Sequence, residues 1–168
     1  MENYMKLEIA ALGENEAFAR SAVAAFALFL NPTLLDLSDI KTAVSEAVTN
    51  CIVHAYHGCD EHQKILIECT AEKGDFNVEN EENEHTSSGV LHIRITDFGR
   101  GIDDLEMALT PFYTTMEADE RSGMGFTIMQ TFMDDFSVES KRGEGTKVYM
   151  TKKIGFAEKE EIRKRANA

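Results

Sequence analysis

Residues 39–56 read DIKTAVSEAVTNCIVHAY, and the reading of this stretch decides the fold. Ile40, Ala43, Val44, Ala47, Val48, Cys51, Ile52 and Ala55 recur at the three-to-four-residue spacing that lines up apolar side chains on one face of an α-helix. A core helix is predicted, with Ser38 as its N-cap, the negative charge of Asp39 in its first turn and His57-Gly58 at its end. Glu46 and Asn50 interrupt the pattern. They stand one helical turn apart, stacked along the border of the apolar stripe. A carboxylate and an amide there form either the solvated edge of a core helix or the floor of a polar site.

Upstream, MKLEIA alternates and predicts a strand from Met5 to Ala10. A helix follows, with Asn15 as N-cap and Phe18, Ala22, Phe26, Phe29 and Leu30 as its apolar stripe, and Asn31-Pro32 stops it. Downstream come a strand from Lys64 to about Glu72 and a strand VLHIRITD over 90–97. FTIMQTFMDDF over 126–136 predicts a third helix, with Phe126, Ile128, Met129, Phe132 and Met133 apolar. FSVESKR and GTKVYMTKK predict a closing hairpin through residues 142–145. No internal repeat is visible. This order predicts an α/β chain of the α+β kind: a two-layer sandwich, a mixed, mostly antiparallel sheet with helices on one face. The other sheet face is then partly exposed, a candidate partner or dimer surface.

A single domain is expected over residues 1–154, followed by a charged tail over 155–168. Within it, an acidic loop over about 72–88 is predicted to be mobile, because Glu72 to Glu84 hold six acidic residues against one lysine. The 168 residues carry a net charge of −13, which disfavours direct nucleic-acid binding and suits a basic protein partner. The longest apolar run, Ala22 to Leu30, is too short to cross a bilayer, and MENYMKLEI lacks the features of a signal peptide, so a cytoplasmic location is expected. Three cysteines do not make a disulfide framework. Cys51, His54, His57, Cys59 and His62 are zinc-ligand types in close succession. Cys51 belongs to the apolar stripe and no second ligand cluster follows, so no zinc site is expected.

Two glycine pairs punctuate the second half. Asp97-Phe98-Gly99-Arg100-Gly101 closes the third strand, where glycines admit a close backbone approach and a carboxylate can accept from a base edge. Gly123 and Gly125 precede the third helix, whose first N–H groups are then free to face anionic oxygens. Between the pairs lies a segment read as a lid, over about 102–122. Asp103 and Asp104 are read as opening a helix within it.

A helix with Glu-x-x-x-Asn, a strand ending Asp-x-Gly-x-Gly, a flexible segment and Gly-x-Gly opening a helix together resemble the GHKL ATP-binding family, whose domain is the Bergerat fold. The resemblance implies ATP and Mg²⁺ as cofactors. It implies Glu46 as catalytic base, Asn50 as the magnesium-binding residue and Asp97 as the adenine reader. Gly99 and Gly101 then form the first glycine box, and Gly123 and Gly125 the second. ENEAFARSAVAAF, IKTAVSEAVTNCIVHAY, PFYTTMEADERSGMGFTIMQTFMD and GTKVYMTKK resemble more narrowly the anti-sigma serine kinases of endospore-forming bacteria. That implies a homodimer which, with ATP bound, holds sigma factor F inactive. It also implies phosphorylation of a serine on an anti-anti-sigma factor, and so control of sporulation transcription. Arg20 matches the arginine used on partner proteins, and Arg121 one at the γ-phosphate and partner side. Thr114, Thr115 and Thr146 match lid and strand threonines near the nucleotide. Two features depart from the family pattern. Met116 stands where a lysine is common, and the acidic excursion is longer than usual. An ATP-dependent binding module without kinase activity and a histidine-kinase ATPase domain are the alternatives. The latter needs a phospho-accepting histidine on a dimerisation hairpin, and the chain before Asp39 is spent on one strand and one core helix.

Overall fold

The computed structural model describes residues 1–56, 60–74, 89–110 and 123–155. Strands β1 (Glu2–Ala11), β2 (Asp60–Lys73), β3 (Gly89–Asp97), β4 (Asp135–Lys141) and β5 (Gly145–Ile154) form one sheet in the order β1-β2-β3-β5-β4. All four pairings are antiparallel, so the sheet is not mixed as expected. Helices α1 (Glu14–Ala27), α2 (Leu34–Asn50), α3 (Leu105–Ala108) and α4 (Gly125–Phe132) accompany the sheet, with α2 packed between α1 and α4. The two-layer α+β sandwich is the architecture expected. No helix among the described residues is long and apolar enough to cross a membrane.

The register explains the core. One row across the sheet runs Leu7, Ile67, Ile95, Val148, Val138, and the next runs Met5, Cys69, Ile93, Met150, Phe136. Because strand side chains alternate, these rows face the helices, and Ile67, Ile95, Ile93 and Met150 are almost wholly buried. Against them α2 buries Ile40, Ala43, Val44, Ala47 and Val48, the stripe read from the sequence. On the opposite face, Lys6, Glu68, Arg94 and Tyr149 share a row, with Glu68 between Lys6 and Arg94. That face is partly exposed, as expected, and its central row is polar and ion-paired.

Several local readings need correction. Helix α2 starts at Leu34 with Thr33 as its cap, not at Ser38. Thr33 Oγ1 accepts from Asp36 N–H, and Asp36 Oδ2 accepts from Thr33 N–H, a capping box. The periodicity hid this turn because Leu34 and Leu35 are 86% and 72% exposed. Asn15 does not cap α1, whose cap position is Gly13. The Asn15 side chain instead donates to the Ala10 carbonyl and ties the helix back to β1. Phe18 is exposed rather than in the stripe, which Ala19, Val23, Ala24 and Ala27 supply. Asn31 does stop the helix, as the left-handed cap of a short 3₁₀ turn (Leu28–Leu30). The acidic loop begins later than Glu72, since Glu72 and Lys73 pair with Val90 and Gly89, and residues 75–88 lie outside the described ones. Helix α4 ends at Phe132, four residues early. Asp134 already joins β5, its N–H donating to the Thr151 carbonyl and its carboxylate accepting from Lys153 N–H.

Candidate functional site

Asp97 sits where it does because of strand alternation. Leu91, Ile93, Ile95 and Asp97 point to the helical side, so the strand that builds the core delivers a carboxylate to the core's edge. Its row reads Ile9, Ile65, Asp97, Thr146, Ser140. Asp97 is 4% exposed. Its Oδ1 accepts from Gly99 N–H at 3.0 Å and Thr146 N–H at 3.2 Å. Burial raises the Asp97 pKa from the ordinary carboxylate value, and those hydrogen bonds oppose the rise. Burial, then the neighbouring Asp97, pushes the Cys51 thiol well above its ordinary range.

The turn after β3 is strapped on every side. Phe98 N–H donates to the Tyr56 hydroxyl, which itself donates to the Lys64 carbonyl, both at 2.7 Å. Burial raises the Tyr56 pKa to about 12. Arg100 N–H donates to the Ala55 carbonyl, and Ile102 N–H to Ser140 Oγ at 2.8 Å. Ser140 Oγ also lies 2.9 Å from Thr146 Oγ1. Gly99 and Gly101 are required by close packing: a Cβ would come within 2.4 Å of the Ala55 carbonyl oxygen at Gly99 and 2.1 Å of the Lys141 carbonyl oxygen at Gly101. The partner of this turn is a π-helical turn, Cys51–Ala55, which continues α2 with a widened winding of the kind that marks functional sites.

Beside the turn opens a cavity of about 640 Å³. Glu46, Asn50, Asp97, Gly101, Gly123, Gly125 and Thr146 all line it. Gly125 opens α4 directly over the Glu-x-x-x-Asn pair. A Cβ there would lie 3.1 Å from Asn50 Nδ2 and 3.2 Å from both Asn50 Oδ1 and Glu46 Oε2. The first amides of an α-helix have no intrahelical acceptor, so α4 presents N–H groups at the wall that carries Glu46 and Asn50. One cavity thus holds an acceptor-only carboxylate at the sheet end, an amide oxygen and a second carboxylate on α2, and a helix N-terminus. Gly99 backs the cavity rather than lining it. Arg20 is elsewhere, half-exposed on α1 and ion-paired with Glu16 at 2.9 Å. Asp104 caps α3 by accepting from Met107 N–H, as read from the sequence. Thr114, Thr115, Met116 and Arg121 lie outside the described residues, as do His57 and Cys59.

Residues 9–152 match the family of histidine kinase-like ATPase domains. The chain is 48% identical over 153 residues to the anti-sigma F factor of Caldanaerobacter subterraneus subsp. tengcongensis, covering 91% of this chain and 95% of that protein. It is 46% identical over 154 residues to the anti-sigma F factor of Clostridium perfringens strain SM101, covering 92% and 99%. The chain belongs to the anti-sigma F factor family of histidine kinase-like ATPase domains. Its fold is also similar to part of the crystal structure of the RsbU and RsbW domains of Rv1364c from Mycobacterium tuberculosis, with a TM-score of 0.60, 16% identity, 90% of this chain and 32% of that one covered.

Several residues that line the cavity or support its walls carry little signal in the sequence. Periodicity places Cys51 in the apolar stripe, and it is buried there while it also lines the cavity that holds Asp97. Ser140 could have been found, since period-2 alternation from Phe136 and Val138 carries it to the inner face beside Thr146. Gly145 was read only as a turn residue, yet a Cβ there would come within 2.1 Å of the Asp97 carbonyl oxygen. Tyr56 gave no signal, because its role lies in two hydrogen bonds to residues distant in sequence.

Proposed function

We propose that the chain is an ATP-dependent anti-sigma factor that is also a protein serine kinase. In this reading, ATP-bound protein holds sigma factor F inactive, and the same site phosphorylates a serine of the anti-anti-sigma factor. The observation that carries it is the placement of Gly125 against Glu46 and Asn50, with Asp97 in the same cavity. The names of the relatives supply the sigma-factor partner.

The residues fit a nucleotide. The cavity is large enough for a small ligand, and where a methyl group would press on Asn50 and Glu46 the residue is glycine, Gly125. Ionised Asp97 accepts and cannot donate, which suits the exocyclic amino group of adenine. The Asn50 amide oxygen fits Mg²⁺, a hard cation that prefers oxygen ligands and, when bound, neutralises phosphate charge. Glu46, one turn away, accepts the proton of the incoming serine hydroxyl. Helix α4 presents its N-terminal amides to the phosphates. Arg121, Thr114 and Thr115 are assigned here by resemblance alone, as γ-phosphate and lid residues. Arg20 is the partner-contacting residue. Its half-exposed i,i+4 pair with Glu16 is worth a few tenths of a kcal/mol, about the level at which it is readily exchanged for a partner's carboxylate. A cytoplasmic homodimer completes the reading.

The test is incubation with Mg-ATP and the anti-anti-sigma partner, with the phosphorylated residue mapped. Acid-stable phosphoserine on the partner is expected. No phosphoryl transfer, with sigma binding still ATP-dependent, would leave a pure binding module. Acid-labile phosphate would mark histidine chemistry.

A further inference from the structure

A charged side chain stands on the core face of β5. Alternation along that strand sends Thr146, Val148, Met150, Lys152 and Ile154 toward the helices, and Lys152 shares its row with buried Leu91 and Ala71. Its ammonium donates to Asp39 Oδ2 on α2 at 2.7 Å and to the carbonyl of Phe132, the last residue of α4, at 2.8 Å. One lysine thus joins the sheet to both helices of the cavity wall. The same two helices meet again at the cavity, where Gly125 lies against Glu46 and Asn50. They therefore run antiparallel between two contacts. From Asp39 to Glu46, and from Phe132 back to Gly125, the path is about two helical turns, roughly 10 Å. Asp134 also ties the chain after α4 to β5, through Thr151 and Lys153, but those bonds do not reach α2. Apolar contacts between helices are non-directional and permit a slide along the axis. Hydrogen bonds to a carboxylate and to a helix-end carbonyl do not. A buried ion pair is weak evidence of stabilisation, since apolar residues often replace it at little cost, and its best-attested use is to fix register.

We propose that Lys152 is a positioning residue for phosphate binding: by clasping Asp39 and the end of α4, it fixes the axial position of α4 on α2 and so holds the N-terminal amides of α4 against the wall of Glu46 and Asn50. It acts from the far end of both helices and lines no part of the cavity. A displacement of about 1 Å, caused by a change far from the chemistry, can cost about 10²-fold in rate. The base-reading end is built separately, from Asp97 held by the Gly99 and Thr146 amides. Loss of the clasp therefore acts on the phosphates and spares the base. This inference rests on the nucleotide reading of the cavity above.

The rival role is folding stability alone, and two variants of the full chain separate the two. Lys152→Met removes the clasp and strands the Asp39 carboxylate. Asp39→Leu combined with Lys152→Met removes the clasp without leaving a lone charge, so it regains stability but not register. The measurements are calorimetric titration with Mg-ATP and competition by adenosine, which carries the base and no phosphate, alongside urea midpoints to establish that each variant is folded. Both variants are expected to lose roughly tenfold in Mg-ATP affinity and to stay within about threefold of wild type for adenosine. If Lys152→Met does not fold, the double variant still carries the comparison. Wild-type Mg-ATP affinity in the double variant, or equal losses for Mg-ATP and adenosine, overturns the positioning role and leaves the nucleotide reading intact. Wild-type protein that binds neither Mg-ATP nor adenosine overturns that reading and this inference with it.

Discussion

Replacing Lys152 by methionine should cost more stability than any other loss of a single charge among the ion pairs described. The Lys152 ammonium, carried on β5, donates to Asp39 Oδ2 of α2 at 2.7 Å and to the Phe132 carbonyl, at the last residue of α4, at 2.8 Å. Its side chain is 12% exposed and that of Asp39 15%, whereas in every other ion pair described at least one side chain is 40% or more exposed. Lys152→Met keeps most of the apolar stem and removes the charge. Asp39 is then left as a largely covered carboxylate without its cation, and a helix-end carbonyl loses its donor. Removing one partner of a fully buried pair costs about 3–5 kcal/mol, and the residual exposure here lowers the expectation to about 2–4 kcal/mol. For a chain of this size each kcal/mol moves the melting temperature by roughly 2–4 °C, so a fall of about 5–15 °C is expected.

The assay is urea unfolding followed by circular dichroism, with the midpoint compared at constant m-value. A double variant, Asp39→Leu with Lys152→Met, removes both charges together. It should recover most of the loss, because apolar residues often replace a buried ion pair at little cost. A single-variant loss below about 1 kcal/mol, or a double variant no more stable than the single, would refute the reasoning.

Three further outcomes are expected. Gly125→Ala should leave melting unchanged or raised, since alanine is favoured over glycine in a helix by about 1 kcal/mol. Its methyl group would press on Asn50 and Glu46 at 3.1–3.2 Å, so phosphoryl transfer measured on the same sample should fall at least about tenfold. Glu46→Gln should lower phosphoserine yield by about 10²–10⁴-fold with nucleotide affinity retained, whereas Asn50→Ala should lose both, as read from parallel titration and transfer assays. Burial pushes the Cys69 thiol up to about 12 and raises that of Cys51, so peptide mapping after a thiol reagent at neutral pH should find both unlabelled until the protein is unfolded.

The sandwich and most of the cavity were legible because both rest on periodicity. The α2 stripe and the alternating β3 strand each write one face of the core, and Glu46, Asn50 and Asp97 are the polar residues that those periods place at the core's edge. What stayed hidden depends on particular hydrogen bonds, some local and some between distant segments, rather than on an apolar period. Thr33 replaced Ser38 as the cap because a reciprocal bond with Asp36 outweighs two leucines left in water, and no apolar period can report that. Asn15 was drawn from capping α1 by the Ala10 carbonyl, a partner set by how α1 meets β1. The Ser140–Ile102 bond depends on how the β4–β5 turn folds over the residues after β3, which no local pattern records.

Asp97 sets stability against function, and pH separates the two. It is a carboxylate in a row otherwise made of Ile9, Ile65, Thr146 and Ser140, and burial raises its pKa in the folded chain. The folded state therefore takes up this proton before the unfolded state does. By linkage, the stabilisation from Asp97 is fully present below its unfolded pKa, about 3.9, and is lost as pH rises through its higher folded pKa. Asp97→Asn cannot take up that proton. Whatever constant offset the amide introduces, the stability of wild type relative to Asp97→Asn must grow as pH falls from 7 toward the carboxylate range. Other titrating groups are common to both proteins and cancel in the difference. Over the same interval wild type should lose affinity for ADP, because a protonated Asp97 no longer presents an acceptor-only carboxylate to the 6-amino group. Urea midpoints and ADP titrations of both proteins at several pH values make the comparison. A stability difference that is flat or shrinks as pH falls would mean that Asp97 is not held above its ordinary range, and that desolvation at the sheet end is weaker than its burial implies.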